Sequence, residues 1–374
     1  MEFKIPVDEL QGIISRLSNV VKVNESGITG MILIDAGDDV KFKATDGNVN
    51  LVVTAKEVEV IEKGKVLLNL DKVKGYIMKF VPLIEDYGTK DFHFVVSDKL
   101  GLIKTKTCFQ SGKPAYKKLK FEVFKPELYP IIKPFGEAQL IVNSNILKRG
   151  INRVLHCVNP GEVRKAITGV GITILQDSIV FAGTNGVKLA EFSIDINADL
   201  IQDTKVMSYN LASILRSTLD DDAQVFVIFD GRYIYIKSNN LYIIGNLIIG
   251  EDFPNYRPMF DLDRVISFPR VDFIDTIHAV MDVLDAEDNH RLTLNFNDKT
   301  LTIKNDRVDS VQTFDEPFES NLDIDVNGEF LDSLLHDFIG ESLELNFTDG
   351  NNYIVFKASD NEKHTALLTV VKRR

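Results

Sequence analysis

Residues 3–17 read Phe3-Lys4-Ile5-Pro6-Val7-Asp8-Glu9-Leu10-Gln11-Gly12-Ile13-Ile14-Ser15-Arg16-Leu17. An extended apolar segment ends at a proline. Leu10, Ile13, Ile14 and Leu17 then recur at helical spacing, which puts them on one stripe, and proline's fixed φ suits a helix start. The same design returns twice. Leu140-Ile141-Val142-Asn143-Ser144 leads to Ile146, Leu147, Ile151, Val154 and Leu155. Ile266-Ser267-Phe268-Pro269 leads to Phe273, Ile274, Ile277 and Val280. Ser144 is a helix-capping residue type.

A second helix is predicted after each of these, at a separation of roughly 60 residues. Asp71 precedes Val73, Ile77, Phe80 and Ile84; Asn210 precedes Leu211, Ile214, Leu215 and Leu219; Asn327 precedes Phe330, Leu334, Leu335 and Phe338. Strand-like runs follow each second helix, at 92–96, 225–229 and 343–347, and lead into Asp98-Lys99-Leu100-Gly101, Asp230-Gly231 and Asp349-Gly350. Between the two helices of a unit lie hairpin signals: Thr45-Asp46-Gly47-Asn48, Thr184-Asn185-Gly186-Val187 and, without glycine, Lys304-Asn305-Asp306-Arg307. The period of roughly 120–135 residues is too long for a familiar solenoid. The expectation is an α+β chain of three similar domains, 1–125, 126–262 and 263–374, each with two helices packed on antiparallel sheets. The stretch Lys117–Pro134 reads as the first connection and Asp261–Arg264 as the second.

The whole chain has 374 residues, 44% apolar and 26% charged, a globular balance that disfavours disorder. Its formal charge of -12 is unevenly spread: 20 basic and 17 acidic residues in 1–125, 12 and 15 in 126–262, 11 and 23 in 263–374. Different copies could therefore attract end to end. Cys108 and Cys157 cannot build a disulfide framework or a CxxC zinc site. The six histidines form no HExxH, and no Walker A loop, GxGxxG or GxSxG occurs. Asp220-Asp221-Asp222 reads as a solvated turn, because consecutive carboxylates diverge. No catalytic residue, metal or cofactor is expected. The start lacks a signal peptide's pattern and no apolar run approaches the ~20 residues that span a bilayer, so a cytoplasmic protein with no membrane partner is expected.

Glu251-Asp252-Phe253-Pro254-Asn255-Tyr256-Arg257, near the end of the second unit, resembles a signature of the bacterial-type DNA polymerase sliding clamp, the polymerase III β subunit. Thr184-Asn185-Gly186-Val187-Lys188-Leu189-Ala190 resembles that family's Thr-Asp-Gly-His-Arg-Leu-Ala, and Arg164–Gly169 and Thr348-Asp349 resemble further stretches. Length and triple repeat agree. Divergence from the bacterial motifs, with many Lys, Ile and Asn residues, fits an AT-rich bacterium or a bacteriophage. The resemblance implies a non-enzymatic processivity factor. Two copies join head to tail as a six-domain ring on double-stranded DNA, opened by a clamp loader. A cleft between the second and third domains takes peptides from the replicative polymerase and other proteins with clamp-binding motifs.

On that picture the polar helix faces meet phosphates without reading bases. The DNA-facing candidates are Arg16, Lys22, Lys72, Lys79, Lys148, Arg149, Arg153, Lys165 and Arg216. The third unit departs from this: its helices carry Asp272, Asp275, Asp282, Asp285, Glu329, Asp332 and Asp337. They either face away from DNA or make the hole unevenly charged. By position, the peptide cleft would comprise Ile167, Thr184, Gly186, Val187, Lys188, Leu189, Pro254, Met259, Tyr353, Leu368, Thr369, Val370 and Val371. The ring interface would place an edge strand with Lys104, Lys106 and Phe109 against Val283, Leu284, Asp306 and Asp309 of the next copy. The tail departs from the family by ending Lys372-Arg373-Arg374, which favours an acidic peptide partner, and Pro258 stands where a basic residue is common. A β-rich nucleic-acid-binding scaffold that never closes into a ring is the alternative.

Overall fold

A computed structural model describes residues 1–22, 27–78, 91–97, 100–108, 114–283, 290–305, 307–350, 352–358 and 363–372. Among them are six α-helices: α1 (Val7–Leu17), α2 (Leu70–Met78), α3 (Ser144–Leu155), α4 (Tyr209–Thr218), α5 (Arg270–Met281) and α6 (Gly328–Leu335). Each starts directly where a strand ends. Pro6 and Pro269 sit just before the first helical residue, with extended backbone. Ser144 opens α3 but is buried, and its hydroxyl ties down the neighbouring turn by donating to the Asp220 carbonyl at 2.7 Å and accepting from the Ala223 amide at 3.0 Å. Asn327 caps α6, accepting from the Phe330 amide at 2.9 Å. The caps of the other two second helices lie two residues before Asp71 and Asn210. Asn69, not Asp71, accepts from the Lys72 amide at 3.3 Å, and Ser208, not Asn210, from the Leu211 amide at 3.2 Å. A cap must lie one residue before the helix, and the preceding strands end at Asn69 and Ser208. Phe80 and Ile84 lie outside the described residues.

The chain divides into two compact units. The first comprises residues 1–145 and 214–247. Its smaller antiparallel sheet runs Glu59–Glu62, Glu2–Pro6, Asp91–Val96, Leu100–Cys108, Pro114–Glu122. Its larger one runs Leu140–Asn143, Gln224–Asp230, Tyr233–Ser238, Leu241–Ile248, Val49–Thr54, Val40–Thr45, Met31–Ala36, Gly64–Asn69. Phe3 lies opposite Phe94 in register and stacks on it at 4.7 Å, while Phe42 of the larger sheet meets Phe3 edge-on at 6.3 Å. All three are fully buried, with the Leu10, Ile13, Ile14 and Leu17 stripe of α1.

The second unit comprises residues 146–213 and 248–374. One sheet runs Arg264–Pro269, Ser342–Phe347, Tyr353–Ala358, His364–Thr369, Lys188–Asp195, Ser178–Thr184, Gly169–Ile174, Gln202–Ser208. The other runs Asp309–Thr313, Thr300–Lys304, Arg291–Asn297, Leu322–Asn327. Phe268 occupies the repeat position of Ile5 and is likewise buried, 4.5 Å from Phe273 and 5.5 Å from Phe296. Strand pairing ties the middle of the chain both ways: Leu241–Ile248 pairs with Val49–Thr54, and Lys188–Asp195 with His364–Thr369.

The three hairpin signals adopt one turn. Asp46 Oδ1 accepts from the Asn48 and Val49 amides, Asn185 Oδ1 from those of Val187 and Lys188, and Asn305 Oδ1 from those of Arg307 and Val308. Gly47 and Gly186 take φ of +93° and +86°, which only glycine adopts cheaply.

Candidate peptide cleft and charged faces

The Phe253–Arg257 signature is a latch within the second unit. The Tyr256 hydroxyl donates to Glu191 at 2.5 Å, and Arg257 Nε donates to the same carboxylate oxygen at 3.2 Å. Burial, then the Glu191 charge, raises the Tyr256 pKa far above its ordinary value. Phe253 and Phe260 pack against the Tyr256 ring at 6.0 and 5.5 Å. Gly171 leaves room for Phe253, since a Cβ there would lie 3.2 Å from its ring. Glu251 accepts from the Ala166 amide at 3.1 Å, drawing the 164–168 turn to the latch. Tyr256→Phe should lower the unfolding free energy by about 1.5 kcal/mol, the scale of a hydrogen bond to a charged group, read from urea-denaturation midpoints. No change would mean that Arg257 alone holds Glu191.

The latch brings many of the expected cleft residues to one end of the sheet. Leu189, Met259 and Tyr353 share a cluster with Tyr256, Val355 and Leu367. Lys188 lies opposite Leu368 and Tyr353 opposite Thr369 in register. The Thr369 amide donates to the Val187 carbonyl at 3.0 Å, and the Val371 amide to the Asp325 carbonyl at 2.7 Å, which pins the tail. Gly186, Val187 and Val371 are exposed; Pro254, Met259, Tyr353, Thr369 and Val370 are half-buried. Ile167, Thr184, Leu189 and Leu368 are core and only underlie such a surface. Lys188 differs from expectation: it is buried, its ammonium bonded to the Ser333 hydroxyl and 5.5 Å from the Phe330 ring centre, so its charge points into the fold. Burial lowers its pKa. Glu191, Phe260 and Leu262 were missed; the acid two residues after the Lys188-Leu189 pair was the available signal for the first.

The cationic candidates divide. In the first unit Lys22, Lys72 and Arg216 are exposed. Arg16 instead makes an ion pair with Asp220, which offsets its charge. In the second unit Lys165 is exposed on a short turn, Lys165–Ile167, and Lys148 is half-buried. Arg149 and Arg153 place their guanidinium groups 5.7 and 5.6 Å from the Phe192 ring centre, a cation–π contact that holds both. Of the acidic residues, Asp332 meets His278 Nε2 at 2.8 Å, Glu329 meets His290 at 3.3 Å and Asp337 meets His156 Nδ1 at 3.0 Å. Asp272, Asp275 and Asp282 are exposed. Lys79, Phe109, Leu284, Asp285, Asp306, Arg373 and Arg374 lie outside the described residues.

The expected first-unit edge is corrected. The strand carrying Lys104 and Lys106 is flanked on both sides, by Asp91–Val96 and by Pro114–Glu122. Among the described residues the edge is Pro114–Glu122, where Lys118 and Lys120 are exposed. In the second unit Asp309–Thr313 is an edge strand with Asp309 exposed and Val311 63% exposed, and Val283 is 52% exposed. No helix among the described residues is long and apolar enough to cross a membrane.

This fold is that of a DNA polymerase sliding clamp. It superposes on the DNA polymerase sliding clamp of Bacillus subtilis with a TM-score of 0.88 and 17% identity, covering 100% of both chains. For the DNA polymerase III β subunit of Pseudomonas aeruginosa the TM-score is 0.85 at 17% identity, again over 100% of both. Residues 141–255 match the family model for the DNA polymerase III beta subunit, central domain. The β sliding clamp of Chlamydia trachomatis is 24% identical over 310 residues, 81% of this chain and 70% of that protein. That of Staphylococcus aureus is 20% identical over 392 aligned positions, 100% of this chain and 99% of that protein. At 20–24% identity, β sliding clamps are thus similar to this chain over most or all of its length.

Proposed function

We propose that the chain is a non-enzymatic DNA polymerase processivity factor. Two copies close head to tail into a ring around double-stranded DNA. The observation that carries this reading is that β sliding clamps align with the chain from end to end, in sequence and in fold. The domains of the ring are 1–125, 126–262 and 263–374. The edge Pro114–Glu122, with Lys118 and Lys120, pairs with Asp309–Thr313 of the next copy, beside Val283. Such a joint hides two strand edges and matches opposite charges, and a heterologous contact of this kind closes if the rotation per subunit allows. Lys22, Lys72, Arg149, Lys165 and Arg216 touch phosphates without selecting sequence. The surface around Val187, Met259, Tyr353 and Val371 takes peptides of the replicative polymerase, the clamp loader and other clamp-binding proteins in the cytoplasm. Lys372 at its edge favours an acidic flank in those peptides.

Topology supplies the test. The chain is loaded onto a nicked circular plasmid with the loader and polymerase of its own source, and the plasmid is then isolated by gel filtration. The protein should stay with circular DNA and leave once a single cut linearises it. Its mass in solution should be twice the 42.1 kDa of one chain. Equal retention on linear DNA would favour the open scaffold.

A further inference from the structure

The first unit contains a groove made of none of these residues. Lys43, Val52, Tyr242 and Lys237 stand opposite one another across four adjacent strands, and therefore on one face of the larger sheet. Lys41 and Thr54 form the next row. The irregular segment 132–135 makes a wall over this face. The Tyr242 hydroxyl donates to the Lys133 carbonyl at 2.7 Å, and the Tyr242 and Phe135 rings meet edge to face at 5.7 Å. An open space of about 860 Å³ lies between, lined also by Ala55, Lys56 and Ile132. That is within the range of specific ligand sites.

Its charge is one-sided. Lys43 is bonded to Asp35 at 2.8 Å and Lys133 to Asp230 at 2.9 Å. Lys41, Lys56 and Lys237 are exposed, and their ammonium groups make no ion pair among the described residues, although the Lys56 backbone amide donates to the Glu9 carboxylate at 2.8 Å. Asp39 is the one carboxylate in the lining. The aromatic faces are already occupied: Tyr242 and Phe135 pack on each other, and the Lys237 ammonium sits 5.9 Å from the Phe135 ring centre. Single-stranded nucleic acid binds by stacking bases on free aromatic faces, which this groove does not offer. It offers aliphatic surface ringed by cations.

We propose that this groove is a second docking site, for an acidic linear peptide segment of a partner protein. An aliphatic side chain rests on Val52, Ala55 and Ile132, and flanking carboxylates meet Lys41, Lys56 and Lys237. Charge complementarity around a concave patch sets both partner choice and association rate.

The test uses a short fluorescein-labelled peptide with a central leucine pair flanked by glutamates, followed by fluorescence anisotropy against the full chain. Binding should weaken with salt. It should fall about tenfold or more in the triple variant Lys41→Glu, Lys56→Glu, Lys237→Glu, since like charges now face the peptide. Val187→Asp, in the other site, should leave it unchanged. On the unmodified chain, the peptide should protect Lys41, Lys56 and Lys237 from acetic anhydride while Lys22 and Lys118 stay reactive, a readout independent of how the triple variant folds. Three results overturn the proposal: undiminished binding to the triple variant, loss of binding in Val187→Asp, or absence of protection. Oligothymidine competing for the same three lysines where the peptide does not bind would assign the groove to nucleic acid instead.

Discussion

Gly183→Ala should destabilise the second unit by roughly 3 kcal/mol or more, at the upper end for an overpacked core. Gly183 lies on the strand Ser178–Thr184 beneath α3. A Cβ there would sit 2.3 Å from the Val154 carbonyl oxygen and 3.0 Å from Val158 Cγ2. The first of these is helix backbone and cannot rotate away, so α3 must lift off the sheet and lose the burial of Ile151, Val154 and Leu155. The approach is close from the helix side too, where a Cβ on Gly150 would fall 2.1 Å from the buried Phe181 ring. Gly12 is the control. It lies on the exposed side of α1 with nothing within 4 Å of a Cβ, so Gly12→Ala should stabilise by roughly 0.5–1 kcal/mol through helix propensity alone. Urea-denaturation midpoints by far-UV circular dichroism compare them. A Gly183→Ala chain that unfolds with the parent would show that α3 does not lie this close.

Neither glycine announces itself in the sequence. What was legible was whatever repeats locally. The spacing of Leu10, Ile13, Ile14 and Leu17, and its two recurrences, located three of the helices, because an apolar stripe must find a sheet. Thr184-Asn185-Gly186 and its counterparts located the turns, because an Asx side chain and a left-handed glycine act within four residues. The caps Asn69 and Ser208 were not legible, because strand ends, which set the helix start, carry no periodic signal. The edge strand was misplaced for a related reason. Lys117–Lys120 looked like a linker near prolines, yet their partner is Leu102–Thr105, and only the hairpin makes Pro114–Glu122 the outer strand. Lys188 and Glu191 illustrate the rest. Lys188 reads as part of the peptide cleft and Glu191 draws no reading, but Ser333 and Phe330 receive the one and Tyr256 and Arg257 the other. Such partners, distant in sequence, exist only after folding.

A buried histidine gives the second large effect. His364 stacks on Phe338 at 4.1 Å and meets Phe192 edge-on at 5.7 Å, with neither ring nitrogen hydrogen-bonded among the described residues. Burial first, then the charges of Arg153 and His156, push its pKa down to about 3, against the opposing charge of Asp337. The unfolded chain holds the same group near the ordinary value of about 6.5. Above that pH the imidazole is neutral in both states and its contribution to stability is complete. As pH falls below it, the unfolded chain takes up a proton that the native core refuses, and stability drops by about 1.4 kcal/mol per unit until the native value is reached. Between pH 7 and pH 5 the loss from this one residue should be about 2 kcal/mol. His364→Leu keeps the apolar packing and removes the proton site, so its stability should fall by about 2 kcal/mol less than the parent's over the same interval. Urea titrations of both chains at the two pH values measure that difference. Equal losses would mean that His364 already shares its proton with Asp337 in the native state. The consequence reaches the proposed DNA-facing side, because Phe192, which packs against His364, also holds Arg149 and Arg153 of α3. Because the native core keeps His364 neutral until about pH 3, acid frees these cations by favouring unfolding and not by loosening their support locally.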